Sequence, residues 1–165
     1  MYYDQRGSFV ETYNKREFEK CLGRRIDFVQ DNQSISKKGA LRGLHFQKGK
    51  YAQAKLVRVV KGEVLDVVVD MRKESATYGE HFKIKLNEHD YKLLFIPKGL
   101  AHGFLSLSSE TIFAYKCDEY YNRQAEGGIV YNDAELNIDW ELDPNELRIS
   151  EKDQHLPAFK EAIND

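Results

Sequence analysis

Short apolar or alternating segments, separated by turn residues, follow one another through most of the sequence. Valine-rich stretches, and stretches in which apolar and polar residues alternate, are typical of strands. The predicted strands are residues 55–60, 63–71, 81–86, 91–96, 103–107 and 111–116, with a weaker candidate at 128–131. Lys61-Gly62, between the first two, predicts a hairpin. Short strands at a spacing of roughly 8–12 residues predict a mainly β fold, a sandwich or a barrel.

Helical signals are confined to the two ends of the chain. Lys15–Leu22 is predicted to be a short helix that ends at Gly23. Near the C-terminus, residues 156–163 place Phe159 and Ile163 four positions apart, on one face of a helix. A length of 165 residues suits a single domain spanning residues 1–165, large enough to bury a core without disulfides.

The charge balance and the cysteines limit the partners and the compartment. The formal net charge is -2, from 25 basic and 27 acidic residues, and no block of like charge indicates a nucleic-acid or membrane partner. Cys21 and Cys117 stand far apart and outside any Cys-x-x-Cys pair, which indicates reduced thiols. The polar N-terminus lacks the apolar core of a signal peptide, and the apolar run at 64–69 is far too short to span a bilayer. We therefore expect a cytoplasmic protein, with an anionic small molecule still possible as its ligand.

Two short stretches concentrate residues that can carry chemistry. They are Arg42-Gly-Leu-His45-Phe-Gln47 and Ile96-Pro-Lys-Gly-Leu-Ala-His102-Gly-Phe104. Together they resemble the paired motifs of the cupin superfamily, which implies a jelly-roll β-barrel with short helices near the two termini. A metal-binding cupin would carry a histidine at position 47, where this chain has Gln47, so we expect no metal. No Gly-x-Gly-x-x-Gly segment occurs, so we expect neither nicotinamide nor flavin.

Several longer motifs, in order over roughly residues 4–157, resemble the dTDP-4-dehydrorhamnose 3,5-epimerase family. These motifs are Gln30-Asp-Asn32-x-Ser34, Lys38-Gly-x-Leu41-Arg-Gly-Leu-His-Phe-Gln47, Gln53-Ala-Lys55-Leu-Val-Arg58, Gly62-Glu-Val-x-Asp66-Val-x-Val-Asp70-x-Arg72, Tyr115-Lys116 with Tyr120-Tyr121, and Ile149-Ser-Glu-Lys-Asp153. The resemblance implies a homodimer that epimerises dTDP-4-dehydro-6-deoxy-D-glucose at C3 and C5 without a cofactor. Family members usually carry further residues before the Asp4-x-Arg6-Gly-x-Phe9-x-Glu11 segment, and these help exchange elements within the dimer.

Epimerisation beside a ketone needs a base on one face, an acid on the other, and a charge or donor at the ketone oxygen. His45 suits the base, since the pKa of a neutral imidazole lies near neutral pH. The resemblance assigns Asp153 to the other ring nitrogen, where a carboxylate fixes the tautomer. Lys55 suits the enolate oxygen, with His102 as a further donor. Tyr115, chosen by its position relative to the motif, suits the opposite-face acid.

Binding a nucleotide needs cations for the diphosphate and a flat surface for the base. Arg42, three residues before His45, can make a bidentate phosphate contact. Tyr120 resembles the residue that stacks on thymine in the family. The other predicted substrate-binding residues are Arg6, Phe9, Glu11, Gln30, Asn32, Gln47 and His102.

Other interpretations of the same residues remain open at this point. His102 competes with a structural role in its turn, Lys55 with an ordinary strand lysine, and Asp153 with Glu151 two positions away. Asp66 and Asp70 are expected to be structural, in turns or in hydrogen bonds between strands. The alternative functions are epimerisation at C3 or C5 alone on a related nucleotide sugar, a 3,4-ketoisomerase, a metal-dependent cupin and a non-catalytic sugar-binding barrel. Deuterium incorporation, metal analysis and ligand binding by a His45→Ala variant separate them.

Overall fold

Two facing antiparallel sheets form the body of the molecule in a computed structural model that describes residues 1–162. The strands are β1 Tyr2–Asp4, β2 Gly7–Phe9, β3 Gln30–Lys37, β4 Ala40–Gln47, β5 Lys55–Lys61, β6 Glu63–Asp70, β7 His81–Asn87, β8 Leu94–Ile96, β9 Leu100–Ser106, β10 Glu110–Cys117, β11 Glu126–Gly128 and β12 Arg148–Ile149. The helices are α1 Lys15–Leu22, α2 Glu151–Gln154 and α3 Phe159–Ala162.

The order of the strands is that of a jelly-roll sandwich. One sheet runs β3-β10-β5-β8 and the other runs β11-β4-β9-β6-β7, with β12 added to β4 in parallel. The hairpin of β1 and β2 pairs only with itself among the described strands. The prediction of a mainly β, jelly-roll-like fold is confirmed, except that the two sheets do not close into a barrel.

Strand β6 is buried on both faces, which explains why its valines form a nearly continuous apolar run in the sequence. Val64 and Val68 face the sheet β3-β10-β5-β8 and pack with Phe113 on β10 and with Phe104 on the neighbouring strand β9. The alternate side chains, Val67 among them, pack on the opposite face beneath the C-terminal segment, in a cluster that includes Trp140 and Phe159. A strand covered on both faces loses the polar alternation of a half-exposed one. By the same alternation, the side chain of Asp66 lies on the Val64 and Val68 side, in the interior between the sheets.

The predicted hairpin at Lys61-Gly62 is wrong, because β5 and β6 belong to different sheets and do not pair. Gly62 has a φ of 81°, and a Cβ there would lie 2.6 Å from the carbonyl oxygen of Glu110. The turn therefore carries the chain across from one sheet to the other in a space that only glycine fits. A period-two pattern identifies strands but does not show which sheet a strand joins.

Other predicted elements differ from the structure mainly at their boundaries. The strand predicted at 91–96 is shortened to β8, because Tyr91 adopts a φ of 53°, which ends an extended segment. Strand β9 begins three residues before the predicted start, and the candidate at 128–131 is instead β11. The helix Lys15–Leu22 is confirmed, with Gly23 in the left-handed conformation at its C-cap.

The C-terminal helix is shorter than predicted and comprises only α3 within the described residues. Ile163, which was expected on its apolar face, lies outside those residues. No helix in the described part of the chain is long and apolar enough to cross a membrane.

Candidate active site

A histidine–aspartate pair joins the middle of the chain to its C-terminal segment. His45, on β4, places Nε2 at 2.8 Å from Oδ1 of Asp153, on α2. The hydroxyl of Ser150 accepts the backbone N–H of Asp153, and the backbone N–H of Gly43 donates to its second carboxylate oxygen at 3.3 Å. The other ring nitrogen, Nδ1, makes no hydrogen bond within residues 1–162. The pair therefore fixes the orientation of the ring and leaves Nδ1 without a partner among the described residues.

The environment of Asp153 keeps it ionised. Burial favours the protonated form, but the hydrogen bonds from His45 and Gly43 outweigh that effect, so the pKa of the carboxyl lies below its usual value. A carboxylate in this position stabilises the imidazolium that forms when His45 takes up a proton. Glu151, the alternative partner that the sequence left open, is exposed on the first turn of α2.

Gly43 permits the close approach of β4 to β9 beside the histidine pair. Its φ is 123°, and a Cβ there would lie 2.5 Å from Cα of Gly103 and 2.7 Å from the carbonyl oxygen of His102. The register of β4 against β9 shifts between Arg42 and His45, which marks an irregularity of the kind that redirects a side chain. The two motifs that contain His45 and His102 therefore lie against each other on the neighbouring strands β4 and β9.

A second histidine–aspartate pair lies deeper, between β9 and β6. His102 Nε2 is 2.9 Å from Oδ2 of Asp66, and both side chains are buried. The other oxygen, Oδ1 of Asp66, is buried and has no hydrogen-bond partner within the described residues. This contact is one of the inter-strand hydrogen bonds expected for Asp66. Asp70, also expected to be structural, binds Arg72 in the connection after β6.

A cavity of about 250 Å³ brings together six of the predicted site residues. They are His45, Lys55, Tyr115, Gln30, Asn32 and Gln47, and they lie beside Phe46, Gln53, Cys117, Tyr121 and Glu126. A groove of about 340 Å³ lies against the four-stranded sheet β3-β10-β5-β8, which we call the small sheet. It is lined by Thr12, Leu93 and Arg58, among others, but not by His45. His45, Lys55 and Tyr115 converge in the smaller cavity, which therefore contains the groups needed for acid–base chemistry.

Lys55 and Tyr115 meet this cavity from neighbouring strands of the small sheet, and burial shifts the pKa of each side chain. Burial lowers the pKa of Lys55, and the nearby Cys117 and Asp66 partly oppose that change. Burial raises the pKa of Tyr115, so its phenol carries its proton at neutral pH. The cavity thus holds the Lys55 amino group and a protonated phenol within the same enclosed space as His45.

Tyr121, Glu126 and Lys152 are site residues to which the sequence analysis assigned no role. The Tyr121 hydroxyl donates to Glu126 at 3.0 Å, and the Lys152 ammonium lies 2.6 Å from the other oxygen of that carboxylate. All three also line a cavity of about 360 Å³ that shares His45 with the first. Lys152 stands next to Asp153 in the sequence, a signal that could have identified it, whereas nothing in the local pattern marks Glu126.

Six of the predicted substrate-binding residues do not line this cavity. Arg6 and Phe9 belong to the exposed β1–β2 hairpin, where Arg6 pairs with Asp4 at 2.5 Å. Glu11 follows that hairpin and is exposed, Arg42 donates to the Ser36 hydroxyl at 3.1 Å, and Tyr120 is 63% exposed. His102 is buried behind the cavity, in contact with Asp66.

The arrangement defines the class of protein: an acid–base enzyme on a cupin-type jelly roll. Within residues 1–162, no group of three or more His, Cys, Asp and Glu side chains has the geometry to hold a metal ion. The cavity contains more than one titratable group, so one group can remove a proton and another can return it.

Comparison with known proteins narrows this class to one family. A family model described as dTDP-4-dehydrorhamnose 3,5-epimerase matches residues 1–161. The dTDP-4-dehydrorhamnose 3,5-epimerase of Salmonella typhimurium is 47% identical over 161 residues, which are 97% of this chain and 87% of that protein. The crystal structure of the enzyme of that name from Elizabethkingia anophelis has a TM-score of 0.91 and 48% identity, and covers 96% of this chain and 86% of that one. A 3,5-epimerase from Legionella pneumophila, crystallised with dTDP-4-keto-L-rhamnose, has a TM-score of 0.91 and 44% identity, and covers 96% of this chain and 84% of that one. The chain belongs to the dTDP-4-dehydrorhamnose 3,5-epimerase family, whose members are isomerases.

Proposed function

We propose that the chain epimerises dTDP-4-dehydro-6-deoxy-D-glucose at C3 and C5 to dTDP-4-dehydro-L-rhamnose, without a cofactor. The observation that carries the proposal is the cavity onto which His45, Lys55 and Tyr115 converge, with His45 held by Asp153. Family membership and the 3,5-epimerase from Legionella pneumophila with dTDP-4-keto-L-rhamnose support the choice of substrate.

In the proposed reaction, the C4 ketone acidifies the hydrogens on C3 and C5. His45 Nδ1 takes one of these protons, the electron pair moves into the enolate, and Asp153 stabilises the imidazolium. Lys55 holds the negative charge that develops on the ketone oxygen. Tyr115 returns a proton to the opposite face of the carbon, and both groups then re-equilibrate with solvent. Each cycle inverts one centre, with no net oxidation or reduction.

The nucleotide is proposed to lie along the polar inner row of β3. Gln30, Asn32, Ser34 and Ser36 alternate inward along this strand, and the Ser34 hydroxyl is buried without a partner in the described residues. Arg42 stands beside the Ser36 end of the row and supplies a guanidinium for phosphate. A row of neutral hydrogen-bonding groups that ends at a cation suits a nucleoside diphosphate.

The N-terminal hairpin is proposed to act in a second copy of the chain. Arg6 and Phe9 are exposed and do not line the cavity of their own protomer, so the substrate-binding role that the resemblance implies requires a neighbour. This proposal commits to a homodimer. Light scattering would give its mass, and mixing inactive His45→Ala protomers with inactive Phe9→Ala protomers would restore activity if the hairpin acts in trans. Failure of mixed dimers to recover activity would contradict the exchange.

The proposed function is tested by incubating the protein with dTDP-4-dehydro-6-deoxy-D-glucose in deuterated water and recording proton NMR spectra. Deuterium at both C3 and C5, together with the L-rhamno product, is the expected result. Deuterium at one carbon alone would instead indicate a mono-epimerase. Migration of the ketone would indicate a ketoisomerase, and absence of exchange would remove the epimerase assignment for this substrate.

A further inference from the structure

Three glutamine side chains hold residues 119–122, in the segment that follows strand β10. Gln53 Nε2 donates to the carbonyl oxygen of Glu119 at 2.7 Å. The backbone N–H of Tyr121 donates to Gln30 Oε1 at 3.0 Å, and the backbone N–H of Asn122 donates to Gln47 Oε1 at 2.9 Å. We refer to Gln30, Gln47 and Gln53 as the glutamine clamp. Its members come from the start of β3, the end of β4 and the segment before β5.

The orientation of each amide in the clamp follows from its backbone partner. A backbone N–H can only donate, so Gln30 and Gln47 must present their oxygens to the segment. A backbone carbonyl can only accept, so Gln53 must present its nitrogen. The segment presents one carbonyl, at Glu119, and then two N–H groups, at Tyr121 and Asn122, so no amide of the clamp can be flipped without losing its contact.

The clamped segment has no regular secondary structure and carries two exposed aromatic rings. Tyr120 is 63% exposed and Tyr121 is 52% exposed, and Tyr121 lines the cavity beside His45. Beyond them, the Asn122 side chain accepts the backbone N–H groups of Gln124 and Ala125 and so stabilises the next turn. An irregular segment that presents aromatic rings would lose conformational entropy on binding a ligand unless something fixed it beforehand.

We propose that the glutamine clamp consists of positioning residues, which hold Tyr120 and Tyr121 ready to receive the planar base of a nucleotide at the mouth of the cavity. The inference rests on the proposed function for the identity of the ligand. It also changes the interpretation of Gln47, which was predicted to contact substrate. Its oxygen is instead occupied by Asn122, at the position where metal-binding relatives of the fold carry a histidine. The clamp therefore acts on affinity for the nucleotide, not on the proton-transfer step.

The orientation rule provides a matched pair of variants. Gln47→Glu and Gln53→Glu add the same charge to the same cavity, because both side chains line it. A carboxylate at 47 still accepts the N–H of Asn122, whereas a carboxylate at 53 cannot donate to Glu119 and meets its carbonyl oxygen instead. Gln124→Glu, at an exposed position in the following turn, reports the effect of charge outside the clamp.

The test measures the dissociation constant of dTDP by calorimetry, KM and kcat in the epimerase assay, and amide hydrogen exchange at residues 119–122 by NMR. Gln53→Glu is expected to raise the dTDP dissociation constant and KM about tenfold above those of Gln47→Glu, with kcat equal within about twofold. Amide protection of Tyr121 and Asn122 should fall in Gln53→Glu and persist in Gln47→Glu. Equal losses in the two variants, or a loss of kcat and thermal stability at unchanged KM, would overturn the proposal. If wild-type protein failed to exchange sugar protons, the proposed function would fail, while nucleotide affinity and amide protection would still test the clamp.

Discussion

Replacing Asp153 by asparagine is expected to damage catalysis more than removing the side chain altogether. The backbone N–H of Gly43 donates to one carboxylate oxygen of Asp153, and His45 Nε2 lies 2.8 Å from the other. In the Asp153→Asn variant, the Gly43 N–H requires the amide oxygen, so the amide NH₂ faces His45. That NH₂ donates to Nε2 and moves the ring proton to Nδ1, where the imidazole can no longer accept a proton from the sugar.

The two substitutions therefore differ in magnitude. Asp153→Ala removes a hydrogen bond between partly buried charged partners, worth about 1.5–3 kcal/mol. At about 1.4 kcal/mol per factor of ten, kcat falls roughly 10- to 150-fold. Asp153→Asn adds the wrong tautomer, which costs about 10⁴-fold in the comparable pair of serine proteases. We expect Asp153→Asn to be at least about tenfold slower than Asp153→Ala.

The assay is the rate of deuterium incorporation at C3 under saturating substrate, with thermal unfolding as the check on folding. Glu151→Gln is the matched control, since Glu151 is exposed on the same short helix two residues away. It should retain wild-type kcat. If Asp153→Asn were as active as Asp153→Ala or more so, the tautomer argument would be refuted.

Four further substitutions test separate parts of the account. Lys55→Met should lower kcat about 10²–10³-fold. Because burial lowers the pKa of Lys55, the kcat of the wild type should fall with rising pH at a pH below the usual lysine pKa, and pH–rate profiles should show no such fall in the variant. Tyr115→Phe should exchange deuterium at C3 faster than it inverts that centre, because the base remains and the opposite-face acid is lost; NMR measures both rates in one sample. Gly43→Ala would place a Cβ 2.5 Å from Cα of Gly103, so calorimetry should show a loss of about 3 kcal/mol or more and a Tm lower by about 6–12 °C. Hydrogen bonds from Arg72 hold the pKa of Asp70 far below its usual value, so this carboxylate contributes its full stability at neutral pH and loses it as the pH falls below about 4; Asp70→Asn should cost about 2 kcal/mol at pH 7 and flatten the acid side of the stability curve.

The sequence predicted strands better than it predicted their partners. Alternation and valine content identified β5, β6, β7 and β10 with small errors at their ends. The turn at Gly62 looked like a hairpin because local pattern carries no information about which sheet the next strand joins. Strand β3 was not predicted, since its inward row is polar and lacks the apolar alternation that marks a core strand.

For the candidate site, the order of the motifs identified most of the residues, but the sequence did not show which residues contact each other. His45, Lys55 and Tyr115 were selected from the sequence and line one cavity, and Asp153 lies against His45 although the two are 108 positions apart. No local rule reveals such a contact, so only the resemblance could suggest it. The backbone partners of Gln47 and Gln53 were equally invisible, because the segment they hold is irregular and distant in sequence.

The proposed mechanism depends on His45 removing the proton beside the ketone. It is tested most directly by comparing wild type with His45→Asn for deuterium incorporation at C3 of dTDP-4-dehydro-6-deoxy-D-glucose, with dTDP affinity measured on the same samples. Nucleotide binding should persist within about threefold while exchange falls by about 10²–10⁴-fold, the range expected for loss of a general base. Exchange in the variant within tenfold of wild type, at equal nucleotide affinity, would show that another group is the base.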